Sequence, residues 1–206
     1  MSGAKRHPPA REGTRPQQQR SKDTVQKILR TADKLFTKEG VAQVSLGKIA
    51  RVMELPTATM YRYFPSKEAL VTLLMKQTLD LMIDDASKRY ESAVSLEEYN
   101  TVSREVLWAT YEQVHKHPYL NEAYAALLTD RSQRSSLIEE NARWVDIFFI
   151  AGRRFLTFDS DDALYRRLQV LNAAWNGTLR LTQLYDKPVA DELMRETIEI
   201  FIRELN

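Results

Sequence analysis

Seven consecutive residues, Thr57–Tyr63, carry two threonine hydroxyls, two phenols and one guanidinium. Groups of these kinds hydrogen-bond to phosphate oxygens and to the edges of bases, so the segment could contact a nucleic acid. Met60 and Phe64 are apolar and four residues apart, which places both on the inner face if the segment is a helix. The polar positions that would then face outward are Thr57, Thr59, Tyr61, Arg62 and Tyr63.

The elements that must position this segment follow from apolar spacing and capping residues. A first helix is predicted from residues at i, i+3, i+4 and i+7 intervals, namely Val25, Ile28, Leu29, Ala32, Leu35 and Phe36. Gly40 would end it in a left-handed turn. Ser45 would cap a short second helix with an apolar face of Leu46, Ile49, Ala50 and Met53. Glu54 and Leu55 form the break, and Pro56 begins the third helix.

The rest of the chain also predicts helices. Ser66 would cap a long fourth helix whose inner side carries Leu70, Leu73, Leu74, Leu81 and Met82. Capping boxes at Ser95 with Glu98 and at Ser136 with Glu139 would open two more, and Pro118 a short one between them. Asp161 would begin a helix to about Tyr185, and Pro188 the last one. The predicted fold class is all-α, with about nine helices.

Composition and charge narrow the function classes. The chain of 206 residues has no cysteine, so disulfides and thiolate metal sites are excluded. No apolar run approaches the roughly 18 residues that a membrane span needs, and the basic start lacks the apolar stretch of a secretory signal. We therefore expect a cytoplasmic protein. Residues 1–67 hold 14 Lys and Arg against 5 Asp and Glu, whereas residues 68–206 are acidic, which directs a polyanion to the N-terminal part.

Three regions are predicted on these grounds. Residues 1–20 are rich in Arg, Gln and Pro and are interpreted as a flexible basic arm, or as a solvated tail without a role. Residues 21–67 form a helix-turn-helix domain, whose second short helix fits the major groove of DNA. Residues 68–206 form a larger helical domain.

The segment SLGKIARVMELPTATMYRYFPSKEAL resembles the DNA-binding signature of the tetracycline-repressor (TetR) family of regulators. The resemblance covers about residues 24–72, and length and helical character alone extend it further. The matching positions are Leu35, Phe36, Gly40, Ser45, Ile49, Ala50, Thr59, Tyr61, Tyr63, Phe64, Ser66, Lys67 and Glu68. The family usually has Gly where this chain has Glu54, so the turn could be shaped differently. It also has Ser where this chain has Pro56, which removes a side-chain cap.

The resemblance implies a repressor that leaves a palindromic DNA operator when a small molecule binds. It assigns phosphate contacts to Ser45, Thr59, Tyr63 and Lys67. It assigns base contacts to Thr57, Ala58, Tyr61 and Arg62, and Lys48 faces outward on the second helix, within reach of the DNA backbone. For each of these residues, a solvated surface position is the alternative.

The resemblance also implies a homodimer formed by the last two long helices, with coupling to DNA through the fourth helix. The predicted interface residues are Leu164, Leu168, Leu171, Gly177, Leu193, Ile198 and Phe201, with an intramolecular core as the alternative. The predicted ligand-binding residues are Trp108, Tyr111, Tyr124, Trp144, Phe148, Trp175 and Asn176, for which plain core packing is the alternative.

Two other function classes remain as alternatives. A helical enzyme is disfavoured because His115 and His117 face different sides of a helix and no phosphate-binding loop is present. We expect no catalytic residue, metal site or cofactor. A helical adaptor that binds only protein would not need the basic N-terminal domain, and it would show no salt-dependent binding to DNA.

Overall fold

The computed structural model describes residues 14–129, 131 and 134–206, and these residues confirm the all-α prediction. The described part contains nine α-helices: α1 Thr14–Glu39, α2 Leu46–Val52, α3 Thr57–Tyr63, α4 Lys67–Glu91, α5 Leu96–Lys116, α6 Tyr119–Thr129, α7 Arg134–Gly152, α8 Asp161–Leu181 and α9 Lys187–Arg203. A 3-10 turn, Thr182–Leu184, follows α8. None of the helices in these ranges is both long and apolar enough to cross a bilayer.

Helices α1 to α3 form a small domain, and α4 connects it to the larger helical body. In the body α5 packs on α9, α7 packs on α8, and α8 packs on α9. The buried side chains of both parts form one continuous cluster that runs from Ile28 in α1 to Leu205 after α9. The small domain is therefore held on the body by shared packing as well as by the chain connection.

Helix α1 begins eleven residues before Val25, where the apolar periodicity starts. Residues 14–20, which the sequence interpretation placed in the arm, belong to this helix, and residues 1–13 lie outside the described part. Residues 18–23 of this helix are exposed and are held by polar contacts: Gln19 Nε2 donates to Asp23 Oδ1 at 2.9 Å, and Thr24 Oγ1 to the Arg20 carbonyl at 2.8 Å. Gln, Arg and Lys favour helices without an apolar stripe, so periodicity could not detect this extension.

Two other sequence predictions in the body were wrong. Leu81 is 71% exposed, because the buried face of α4 turns past it to Ile83, Ala86 and Tyr90. Ser136 is no N-cap, because α7 is already helical from Arg134. Residues three apart share a face inside any helix, so the Ser–Glu spacing is not specific for a helix start. The predicted cap at Ser95 is confirmed, since its hydroxyl accepts from the Glu98 amide at 3.2 Å, whereas the Glu98 carboxylate accepts from the Val94 amide at 2.7 Å.

Candidate DNA-binding surface and ligand cavity

The two short helices α2 and α3 are fixed by a cap and by apolar residues. The Ser45 hydroxyl accepts from the Lys48 amide at 3.1 Å and so begins α2. Ile49 of α2 and Met60 of α3 are fully buried, and Phe64, which ends α3, is 4% exposed. The predicted inner face of α3 is confirmed, and it fixes which side of this helix is left to solvent.

The turn between α2 and α3 is left-handed at Glu54, which has φ +54° and is the one described residue other than glycine with positive φ. The Leu55 amide donates to the Ala50 carbonyl at 2.9 Å, and the Glu54 amide to the Arg51 carbonyl at 3.1 Å. This pair of bonds is a Schellman motif, in which glycine is usual at the left-handed position. The expectation that Glu54 reshapes the turn was wrong, because glutamate adopts the backbone conformation that glycine normally supplies.

The outer face of α3 presents the four predicted base-contacting residues to solvent. Thr57, Ala58, Tyr61 and Arg62 are all exposed, Tyr61 to 52%. Pro56 precedes the helix without a side-chain cap, so the amides of Thr57 and Ala58 stay available to an acceptor outside the chain, whereas the Thr59 amide donates to the Pro56 carbonyl at 2.8 Å.

Thr59 and Tyr63 are half-buried rather than fully outward. Side-chain hydrogen bonds with Ser21 and Thr24 of α1 lower the pKa of Tyr63 below its ordinary value. The Arg62 guanidinium, 5.5 Å from the centre of the Tyr63 ring, acts in the same direction. The early turns of α1 therefore support one of the predicted phosphate-contacting side chains.

Both predicted lysines are engaged inside the domain. Lys48 Nζ forms an ion pair with Glu39 at the end of α1. Lys67 Nζ donates to the Val41 carbonyl at 2.9 Å, and Ser66 caps α4 by accepting from the Ala69 amide at 3.1 Å. The two ammonium groups thus stabilise the end of α1 and the loop that follows it. The backbone amides at the start of α4 remain suited to bind a phosphate.

The larger domain encloses a cavity of about 70 Å³ between α4, α5, α6, α7 and α8. Five of the seven predicted ligand-binding residues line it: Tyr124, Trp144, Phe148, Trp175 and Asn176. The walls are mainly apolar, with side chains such as Met75, Leu79 and Met82 from α4. Small-molecule sites combine such walls with a few placed polar groups.

Trp108 and Tyr111, the other two predicted ligand residues, do not line this cavity. Tyr111 is fully buried between α5 and α9, and its hydroxyl donates to Asp191 Oδ1 at 2.7 Å. Lys187 Nζ lies 4.8 Å from the centre of the Tyr111 ring and 5.7 Å from that of Trp108. Burial and Asp191 raise the pKa of Tyr111 to about 12. These aromatic residues join α5 to α9, and their type alone did not reveal which face they occupy.

The cavity also contains polar residues that the sequence analysis missed, among them Asn121, Glu140 and Arg180. Helical spacing could have found all three. Asn121 lies three residues before Tyr124, and Arg180 lies four residues after Asn176, so each shares a face with a predicted member. Glu140 likewise lies four residues before Trp144.

Residues 28–74 match the family described as "Bacterial regulatory proteins, tetR family". The N-terminal domain of the chain therefore matches the tetR family. The matched range contains most of α1, all of α2 and α3, and the start of α4. It agrees with the resemblance found in the sequence over residues 24–72.

Curated relatives match part of the chain. The chain is 33% identical over 78 residues to HTH-type transcriptional regulators of Staphylococcus aureus strains USA300 and NCTC 8325. The match takes in 34% of this chain and 42% of each relative, so the chain spans about two fifths of the length of the curated relatives it matches.

Solved structures extend the likeness of fold to most of the chain. A transcriptional regulator from Saccharomonospora viridis in complex with choline has a TM-score of 0.72 at 17% identity and covers 88% of this chain and 96% of its own. FadR of Thermus thermophilus, a TetR family transcriptional repressor in complex with lauroyl-CoA, has a TM-score of 0.64 at 18% identity over 88% and 95%. At these identities the comparison shows the fold alone, over 88% of this chain.

The predicted dimer stripe is largely buried within one chain. Leu164, Leu168, Leu171, Ile198 and Phe201 are at most 6% exposed within one chain, so little of their surface is left for a second copy. The alternative, an intramolecular core, holds because α8 and α9 pack on α5 and α7 as well as on each other.

Gly177 and Leu193 differ from the buried part of the stripe. Leu193 is half-buried, whereas Gly177 is exposed, with no atom within 4 Å of the place where a Cβ would lie. The exposed face of α8 around Gly177 carries apolar and small residues, namely Val170, Ala173, Ala174, Leu181 and, in the following turn, Leu184.

Proposed function

We propose that the chain is a transcriptional regulator, with no catalytic role, that binds a DNA operator as a homodimer and releases it when a small molecule enters the cavity. The observation that carries the proposal is the orientation of α3. Met60 anchors this helix in the core while Thr57, Tyr61 and Arg62 face solvent. A helix presented in this way fits the DNA major groove. Such a regulator works beside the bacterial chromosome, in the cytoplasm.

In the proposed complex, Arg62 forms a bidentate contact to guanine, and Thr57, Ala58 and Tyr61 contact neighbouring base edges. Tyr63 and Thr59 bind phosphate from the flank of α3, and Ser45 and Lys67 bind it through the amide ends of α2 and α4. Lys48 contributes positive charge near the backbone while it keeps its ion pair with Glu39.

The homodimer is proposed to form through the exposed face of α8 rather than through the buried stripe. Val170, Leu181 and Leu184 are 66%, 41% and 78% exposed, and the alanines and Gly177 between them allow the helices of two copies to approach closely. A two-fold dimer would place two α3 helices on half-sites about 34 Å apart, which implies a palindromic operator.

Helix α6 is proposed to work with α4 in coupling the cavity to the DNA-binding domain. Leu120, Asn121 and Tyr124 line the cavity from α6. On its other side Glu122 accepts from the Val41 amide at 3.1 Å, beside the loop that leads to α2. A ligand that displaces α6 would therefore disturb the placement of α2 and α3.

Further contacts join the same side of the body to α1. His117 Nδ1, just before α6, lies 2.9 Å from Asp33 Oδ1 of α1, and the Tyr119 ring packs against Phe36. Choline and lauroyl-CoA, held by the two structural neighbours, support a ligand role for the cavity of this fold.

The proposal is tested by fluorescence anisotropy with DNA from the region flanking the gene, in a series of salt concentrations. We expect binding that weakens steeply as salt rises, because phosphate neutralisation releases counterions. Tyr63→Ala should weaken binding, and Lys88→Ala, at an exposed position near the end of α4, should not. Binding without preference over random DNA, or without salt dependence, would favour the adaptor class instead.

A further inference from the structure

The cavity contains two charged side chains, and only one of them is neutralised by the described part of the chain. Glu140 accepts from Arg143 Nη1 at 3.1 Å, and Arg143 Nη2 also lies 2.7 Å from Asp80. This carboxylate is therefore already paired with a cation and surrounded by its own ion-pair network. A cationic ligand would have to compete with Arg143 for it.

Arg180 stands in a different situation. It lies in the last turn of α8, and its guanidinium is 5.6 Å from the centre of the Tyr124 ring. Within the described residues no carboxylate lies within ion-pair distance of it. A guanidinium beside an apolar cavity, with donors arranged for a planar acceptor, is suited to a carboxylate from outside the chain.

A second donor in the cavity also lacks an acceptor. Asn121 Nδ2 is buried and has no hydrogen-bond partner among the described residues. The neighbouring amides are satisfied, since Asn172 donates to Asn141 Oδ1 at 2.6 Å and Asn176 to the Asn172 carbonyl at 2.8 Å. A buried donor without an acceptor costs free energy that a ligand oxygen would restore.

The groove that adjoins the cavity carries positive charge as well. It runs between α6 and α7, and Tyr124 and Asn141 line both the groove and the cavity. Arg131 and Arg134 lie along it. Positive side chains along a path into an apolar cavity attract an anion during its approach.

We infer that the effector of this chain is a compact carboxylic acid with an apolar body. Its carboxylate binds Arg180 and Asn121, and its body packs against the aromatic and aliphatic walls. The free volume of the cavity, about 70 Å³, favours a compact acid over a long-chain one. The inference rests on the proposed function, because it names the ligand class of the same regulatory cavity.

Isothermal titration with matched probes tests the ligand class. The probes are phenylacetate and hexanoate, their neutral counterparts 2-phenylethanol and hexanol, and the cations benzyltrimethylammonium and hexyltrimethylammonium. We expect the acids to bind at least about tenfold more tightly than the alcohols, the size expected of charge-assisted hydrogen bonds. Tighter binding of the cations, or no saturable binding of either acid, would overturn the inference.

Two variants of α8 locate the effect. Arg180→Met should lower the affinity for phenylacetate about tenfold or more and leave that for 2-phenylethanol within twofold. Arg166→Met, at an exposed position of the same helix, should change neither. An equal loss for acid and alcohol in Arg180→Met would mean that the arginine only packs the wall, and it would overturn the inference.

The operator assay separates this inference from the proposed function. If the ligand-free protein binds its operator and no acid binds the cavity, the ligand class is wrong and the regulator remains. If phenylacetate binds through Arg180 but does not release the operator, the ligand class holds and the proposed release mechanism fails.

Discussion

The DNA-binding surface and the ligand cavity are built in different ways. Every residue of the surface lies within a short segment, Ser45–Lys67, and its orientation depends on caps and turns three or four residues away. The cavity instead collects side chains from five helices, α4 to α8, whose meeting is decided by packing. Local signals are enough to place a binding residue in the first region, whereas in the second the same residue types serve equally well as core.

The largest expected effect tests whether the DNA-binding domain and the domain that contains the cavity unfold together or separately. Met60 in α3 and Met194 in α9 are both fully buried and belong to one continuous cluster. Met60→Ala and Met194→Ala should each lower the free energy of unfolding by about 2–5 kcal/mol. Because the core is shared, calorimetry should show one transition in each variant. The leucine variants, which conserve volume, should cost less than about 1.5 kcal/mol. Two transitions, with Met60→Ala moving only one of them, would show two independent units.

The next largest effect concerns the surface that a second copy would cover. Gly177→Arg places a charge in the open space on α8, and in a two-fold dimer each arginine would be desolvated beside its copy. We expect the dimer dissociation constant to rise about 100-fold, or roughly 3 kcal/mol, in sedimentation experiments. Ser87→Arg, at an exposed position on α4, serves as the control. An unchanged constant would move the interface away from α8.

Arg62→Ala separates the two regions functionally. Loss of a bidentate base contact should weaken operator binding by about 1–3 kcal/mol, or roughly 5- to 150-fold, and relax the preference for one base pair. Thermal stability and phenylacetate affinity should be unchanged, because Arg62 is exposed and distant from the cavity lining. Lys88→Ala removes one exposed positive charge from the end of α4 and should have little effect on anisotropy. A parallel loss of ligand affinity would contradict the division between the regions.

Glu54→Gly tests whether the turn is maintained by the backbone alone. The left-handed conformation costs a residue with a Cβ about 1–2 kcal/mol, and glycine avoids this cost. Part of the resulting stabilisation is offset because glycine has more conformational freedom in the unfolded chain. The variant should therefore be more stable by roughly 0.5–1 kcal/mol in urea unfolding. Glu54→Ala keeps the Cβ and should bring no such gain. Equal stabilisation by both variants would mean that the carboxylate, rather than the backbone conformation, is the unfavourable element.

The smallest expected effect is a pH dependence of DNA binding. The lowered pKa of Tyr63 means that its phenolate forms at a lower pH than that of an ordinary tyrosine, and a phenolate repels phosphate. Operator affinity of the native chain should thus fall as pH rises towards the ordinary tyrosine pKa of about 10. Tyr63→Phe should bind more weakly at neutral pH but lose less over the same range. Identical pH profiles would show that Tyr63 is distant from the phosphates.

Much of the fold followed from the sequence because helix ends carry local signals. Ser45, Ser66 and Ser95 cap helices as predicted, and α3 has the predicted bounds. The early start of α1 was missed because its polar turns lack an apolar stripe. The buried face of the long helix α4 was also predicted wrongly at Leu81. Several helices pack against different sides of α4, and their positions, which the sequence does not show, determine which of its residues are buried.

The candidate sites could be predicted to different extents for the same reason. The outward positions of α3 followed from the two inward ones, Met60 and Phe64. Trp108 and Trp175 have the same side chain, yet one joins α5 to α9 and the other lines the cavity. Sequence alone could not separate them, because the difference lies in which helices meet. Arg180 was overlooked because an isolated arginine near a helix end is ordinarily a solvated residue.

Helix α3 has seven residues and lacks a side-chain cap, and Met60 is the one residue within it that is fully buried. A helix this short has no stability of its own in water and relies on its packing. Contact with phosphates at its first turn would complete its hydrogen bonds and reduce its fluctuations. Operator binding should then release heat and lose conformational entropy, with the two partly cancelling. Operators that differ little in affinity would still differ in enthalpy, and calorimetry would rank how well each one orders the helix.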